Sequence, residues 1–161
     1  MITKIAEHTF FENKINKKYK SIVGLLSYAG RFCYEYKISK NIQIGIVSYI
    51  NTEPKIKKFG FNIIIVNNEV YFLNDDGEVL KVFTAGTEIY DCIQACGAII
   101  VLSDIECLIV DDDAEMKIEF DDNLYHFELL GNELICILEN GKEIKVDINS
   151  SKHLMKKKSI H

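Results

Sequence analysis

At 161 residues, with 48% apolar and 27% charged side chains, the chain has the length of one domain and enough apolar content to bury a core without metal or disulfide staples. Its five cysteines (Cys33, Cys92, Cys96, Cys107, Cys136) are odd in number, lack CxxC spacing and lie mostly within apolar strand patterns, which predicts reduced core residues of a cytoplasmic protein rather than a disulfide framework. The net charge of −5 conceals a division, because residues 1–58 hold 11 Lys/Arg against 4 Asp/Glu, residues 59–149 hold 4 against 20, and residues 150–161 hold 4 against none, so that an acidic body that would repel nucleic acid lies between two basic ends.

Residues 1–20 alternate poorly. Phe10, Phe11, Ile15 and Tyr19 fit either a short helix face or the anchor of an N-terminal arm, and Glu7 and Glu12 among the lysines give no signal-peptide pattern. From residue 21 the strand signal persists: 21–26, 31–38 and 42–50 read as a three-strand meander with turns at 28–30 and 39–41. Pro54, the sole proline, follows Asn51, Thr52 and Glu53 in a loop where the charge changes sign. Further strands are expected over 61–66, 70–73, 78–83, 89–95, 98–102, 107–110, 115–120, 124–130, 134–138 and 143–148. Segments 115–120 and 143–148 alternate charged with apolar residues and predict half-exposed strands, whereas the unbroken runs 62–66 and 98–102 predict strands covered on both faces. Residues 89–95 read as a strand in preference to a helix. The longest apolar stretch, 98–110, is 13 residues long and is broken by Asp104 and Glu106, so it cannot cross a bilayer. A soluble chain is expected, with an arm over 1–20, one β-repeat domain over 21–149 and a basic tail over 150–161.

A ten-residue pattern recurs three times without a gap, at 69–78 (EVYFLNDDGE), 106–115 (ECLIVDDDAE) and 133–142 (ELICILENGK). Each copy opens on glutamate, runs through strand-forming residues and reaches an acidic or amide-bearing turn closed by Gly77, Ala114 or Gly141, which is the pattern of a hairpin. A looser copy, 22–31 (IVGLLSYAGR), carries glycine at the same place, Gly30. The turns at 30, 77, 114 and 141 come closer together along the chain, which predicts modules of three to four strands that lose a strand toward the C-terminus. In its succession of strand, tight turn, strand, Asp-Asp-Gly-like turn and strand, best seen over 67–83, the body resembles β-propeller blades. That resemblance implies a mainly β fold of consecutive antiparallel meanders forming an open half-propeller or twisted stacked sheets, with a short N-terminal arm or helix.

No reaction is written in these residues. Asp111, Asp112, Asp113 and Glu115 form the densest acidic site, echoed by Asp75, Asp76 and Glu78 and by Asp121 and Asp122, yet none follows the alternating ligands and obligatory glycine of a calcium loop. Carboxylate pairs for glycoside cleavage lack the tryptophan-bearing cleft they ordinarily serve, since the chain has no tryptophan. His126 and Cys136 fall on neighbouring predicted strands without an oxyanion-hole motif, Cys92 and Cys96 lack partners at zinc spacing, and no glycine-rich phosphate loop occurs. The lysines at 14, 17, 18, 20 and 156–158 read as solvated ends. No cofactor or metal is expected, and no enzyme.

A large single-signed surface without catalytic machinery points to a binder of a basic protein. Asp75, Asp76, Asp111, Asp112, Asp113, Glu115, Asp121 and Asp122 are the expected contact residues, their turns expected along one rim. In this character the chain resembles the small acidic immunity proteins of bacterial toxin systems, including contact-dependent growth inhibition. That resemblance implies a cytoplasmic inhibitor that covers the active site of a basic nuclease toxin, with no direct contact to nucleic acid or membrane. The alternative is a ligand-binding or sensory β-repeat protein with Tyr34, Tyr36, Tyr71, Phe72 and Tyr125 lining a pocket.

Overall fold

The computed structural model describes residues 1–24, 31–111 and 114–149, the last without the side chain of Ala114. The fold is mainly β, with a short N-terminal helix and consecutive sheets of three or four strands, as expected, and without a closed barrel among the described residues. By packing, the chain divides into two compact units, residues 1–84 and 85–161.

The first unit opens with strand β1 (Ile2–Ile5), helix α1 (Glu7–Ile15), β2 (Ser21–Gly24), β3 (Phe32–Lys37) and β4 (Gln43–Ser48). These strands make one sheet in the order β1-β3-β4-β2, in which β2 runs parallel to β4 and the other pairs are antiparallel. A parallel neighbour requires a crossover, and α1 belongs to the segment that carries the chain from β1 on the far edge to β2. The residues read from sequence as an arm or short helix therefore supply that helix and, ahead of it, an edge strand. Glu7 in the first turn of α1 and Lys14 in the last both oppose the helix dipole favourably.

The second sheet of this unit is a plain meander of β5 (Lys55–Lys58), β6 (Asn62–Val66), β7 (Glu69–Leu73) and β8 (Val79–Thr84). Period-two alternation decides which faces meet. Tyr34, Ile44, Ile46 and Val23 of the first sheet pack on Ile64, Val66, Tyr71 and Leu73 of the second. The opposite face of the first sheet carries Cys33 and Val47, and Phe10 of α1 is fully buried among them with Ile5, Tyr19 and Ile22 alongside. Gly45 makes that packing possible, because a Cβ there would stand 2.9 Å from the Phe10 ring and 3.0 Å from the Tyr19 ring.

The second unit holds the meander β9 (Ile89–Ala95), β10 (Ala98–Ser103), β11 (Glu106–Asp111) and β12 (Ala114–Glu119), then the three-stranded meander β13 (Leu124–Leu130), β14 (Glu133–Leu138) and β15 (Glu143–Asp147). One core joins them: Ala98, Ile100, Leu102, Cys107 and Ile109 face Leu124, Leu134, Cys136, Leu138, Val146 and Ile148. The β9–β10 connection is a two-residue turn, Cys96 and Gly97, with φ of 52° and 72°, the left-handed pair that matches the twist of a hairpin. The three copies of the repeat are β7, β11 and β14 with their following turns. The looser upstream copy falls largely on residues 25–30, outside the described residues, as does the tail from residue 150. No described helix is long and apolar enough to cross a membrane.

Candidate functional site

Asp75 and Asp76 occupy the β7–β8 turn of the first unit. Asn74 Oδ1 accepts from the Glu78 backbone N–H at 2.9 Å and Gly77 N–H donates back to Asn74 O at 3.0 Å, which fixes the turn. Asp75 is already engaged within the chain, receiving Lys58 Nζ at 3.1 Å and Asn62 Nδ2 at 3.0 Å. The hydrogen bond from Lys58, joined by that from Asn62, holds its carboxyl below the ordinary value. Glu78 lies 3.5 Å from Lys20, and Asp76 is exposed.

In the second unit the acidic residues divide between two ends. Asp111 closes β11 opposite Ala114, and Glu115 pairs with Val110 on β12, while Asp112 and Asp113 lie outside the described residues. Asp121 and Asp122 follow the far end of β12, about 20 Å away at roughly 3.4 Å per residue. There the β10–β11 turn, the end of β12 and the start of β13 meet, with Phe120 N–H on Ile105 O at 2.8 Å and Leu124 N–H on Asp104 O at 2.6 Å. The β14–β15 turn joins this end through Lys142 Nζ, 2.6 Å from Asp121 Oδ2, and through Asn123 Nδ2, 3.3 Å from Glu139. The opposite end gathers the β9–β10 and β13–β14 turns, where Cys96 Sγ lies 3.8 Å from Gly131 O. Equivalent turns therefore do not share one rim in this unit. Strand count is the reason: the repeat strand is third in the β9–β12 sheet and second in the β13–β15 sheet, and in a meander that difference reverses its direction.

Cations among the described residues of this unit are few and committed. Residues 85–149 hold 16 Asp/Glu against Lys117, Lys142 and Lys145. Lys117 lies 2.6 Å from Glu106, Lys142 2.6 Å from Asp121, and Lys145 3.9 Å from Glu143. Glu106, which the sequence did not single out, is buried and also accepts from Gly86 N–H at 3.1 Å. A glutamate opening a strand repeat gives no sign of such burial.

Other candidate groups are separated. His126 pairs with Ile137 and Phe127 with Cys136, so His126 and Cys136 point to opposite faces of the sheet. Burial pushes the Cys136 thiol up to about 11, the reverse of an activated nucleophile. In the first unit Tyr34, Tyr71 and Phe72 are buried core residues and Tyr36 packs beside that core, and in the second unit Tyr125 is 71% exposed. Among the described residues no three His, Cys, Asp or Glu side chains are grouped to hold a metal ion.

No protein-family model matches the chain, and no curated protein matches it. Among solved structures it is similar to the crystal structure of BBS1N in complex with ARL6DN, soaked with mercury, at 13% identity and a TM-score of 0.45 over 91% of this chain and 50% of that one. The chain spans half the length of the solved chain it matches.

Proposed function

We propose that the chain is a non-enzymatic protein inhibitor, an immunity protein that neutralises a cognate basic nuclease toxin, such as one delivered in contact-dependent growth inhibition, by covering its active site in the cytoplasm. One observation carries the reading. Residues 85–149 combine 16 carboxylates with three lysines, and each of those lysines is already spent on a carboxylate of the same unit. What remains is an excess of negative charge that a cationic groove complements. In such a groove the carboxylates take the place of nucleic-acid phosphates.

Asp111, Asp112, Asp113 and Glu115 form the first choice of contact on this reading. Asp122 offers a second contact at the other end of the unit, beside Asp121 that Lys142 already holds, and Asp76 one on the first unit. Asp75 contributes less, because Lys58 already holds it.

The test is capture of nuclease domains from neighbouring toxin genes by the tagged full chain, at low and moderate salt, followed by assay of their nuclease activity. The reading expects a one-to-one complex that silences the nuclease and weakens steeply when Asp111, Asp112 and Asp113 are replaced by asparagine. A nuclease that is captured yet remains fully active, or a co-purified small molecule with no protein partner, would sink it.

A further inference from the structure

Three of the described sheets have four strands, and the β13–β15 sheet has three. Among the described residues, the position without a strand lies beyond β15. In the facing sheet that position is held by β12, whose Met116 and Ile118, with Phe120 just after it, are half buried at the margin of the shared core, and among the described residues the β13–β15 sheet has no fourth strand to lie over them. Ile144 of β15 continues the same apolar margin.

Backbone geometry defines the edge. Leu138 N–H donates to Lys142 O and Ile148 N–H to Asn132 O, both at 2.9 Å. Peptide groups alternate in direction along an antiparallel strand, so the even-numbered residues of β15 bond to β14 while the N–H and C=O of Glu143 and Lys145 are directed away from it. No other described strand pairs with that side.

Charge then selects the occupant. On the face of this sheet turned away from the core, the paired rows are His126, Ile137 and Glu143; Glu128, Ile135 and Lys145; and Leu130, Glu133 and Asp147. Four carboxylates share that face with one lysine, itself 3.9 Å from Glu143. A strand laid beside β15 with Lys or Arg on this face meets complementary charge, and its alternate apolar residues fall on Met116 and Ile118.

We propose that this slot receives an extended cationic segment of the protein partner, added antiparallel to β15 as the fourth strand of the sheet. Backbone pairing supplies affinity, and alternation of basic with apolar side chains supplies selectivity. The inference rests on the protein-partner reading given above and names where on the chain that partner attaches.

The probe is a synthetic heptapeptide alternating Lys and Val, with an alternating Glu and Val heptapeptide as control, added to the full chain while amide exchange is followed residue by residue. The Lys/Val peptide should slow exchange at Glu143 and Lys145 by roughly tenfold, and the control should leave it unchanged. Lys145→Pro removes an N–H that makes no bond to β14 and should abolish the protection without shifting the melting temperature. Met116→Glu, which keeps that N–H and spoils the apolar floor, should abolish it independently.

Unchanged exchange at both amides, equal protection by the two peptides, or self-association through β15 would overturn the proposal. So would exchange that is slow before any peptide is added and released on deletion of residues 150–161, because the chain's own end would then fill the slot. The two readings fail separately. Peptide binding without nuclease capture keeps the slot and loses the immunity reading, and nuclease capture that leaves β15 exchange unchanged does the reverse.

Discussion

The Tyr19 hydroxyl donates to Glu35 Oε1 at 2.7 Å, tying the segment after α1 to the third strand of the chain. Asn13 Nδ2 donates to the same oxygen at 2.8 Å, Lys18 lies 3.4 Å from it, and Gln43 Nε2 donates to Glu35 Oε2. One half-buried carboxylate thus collects four partners from a helix, a loop and a neighbouring strand. Without it, Asn13 and Tyr19 would lose their shared acceptor.

Glu35→Gln should destabilise the first unit by about 1–3 kcal/mol, the cost of breaking such a network on one side, as read by chemical denaturation at neutral pH. The acid limb gives a second reading. Burial pushes the Glu35 carboxyl up, but the Tyr19 hydrogen bond, the Lys18 charge and the Asn13 hydrogen bond together outweigh it and hold the group below its ordinary 4.5. A carboxylate lowered by folding contributes stability that is present above the unfolded value and lost as pH falls through the folded one. Stability of the native sequence should therefore fall more steeply below pH 4.5 than that of Glu35→Gln. Parallel acid limbs would refute the assignment.

Gly45 and Phe10 provide a test of how α1 is seated. Gly45→Ala places a methyl 2.9 Å from the Phe10 ring and should cost about 1–3 kcal/mol through overpacking. Phe10→Ala removes the fully buried ring and should cost about 3–5 kcal/mol. Combined, the two should cost less than their sum, since the added methyl then enters the space the ring has left. Denaturant titration of the three variants measures this, and strict additivity would mean that the helix does not sit on Gly45.

Thiol chemistry separates the cysteines. Cys33, Cys92, Cys107 and Cys136 are buried, whereas Cys96 is exposed in the β9–β10 turn. Burial also raises the Cys33 thiol and pushes Cys136 up to about 11. A maleimide reagent at neutral pH should label one thiol in the folded chain and five in denaturant, and Cys96→Ser should abolish the fast reaction, with mass spectrometry as the readout.

Lys117 supports the buried carboxylate of Glu106 at 2.6 Å, and Glu119 at 3.5 Å shares its charge. The hydrogen bond and charge of Glu106 raise the Lys117 value, so the pair favours the charged lysine. Lys117→Met should lower the melting temperature by stripping buried Glu106 of its ion pair while the Gly86 N–H still donates to it, and Lys117→Met with Glu106→Gln should recover part of the loss. A double variant less stable than the single would show that Glu106 does not depend on the lysine.

The three hairpin copies were legible because strand and turn signals lie within ten residues of one another, and β7, β11 and β14 begin at the glutamates that open them. β9 was likewise legible as a strand, while β1 and β5 were not. Ile2–Ile5 and Lys55–Lys58 each offer only one or two apolar residues, and they are strands because β3 and β6 hold them at sheet edges. The eight acidic contact candidates were legible as a composition. Their separation in the second unit was not, because the end at which a turn emerges depends on how many strands precede it in its sheet.

By itself the sequence determined the mainly β class, most strand positions, the turns and the concentration of negative charge over residues 59–149, since each of these is a local property of pattern or composition. Only the tertiary structure decided that Lys58 holds Asp75, that Lys142 holds Asp121, that Glu35 anchors Tyr19, and that the last sheet has three described strands. Ion-pair partners and open edges are set by register and by which sheets stack. Those relations join residues 16 to 21 positions apart here, beyond the reach of a two-residue or helical period.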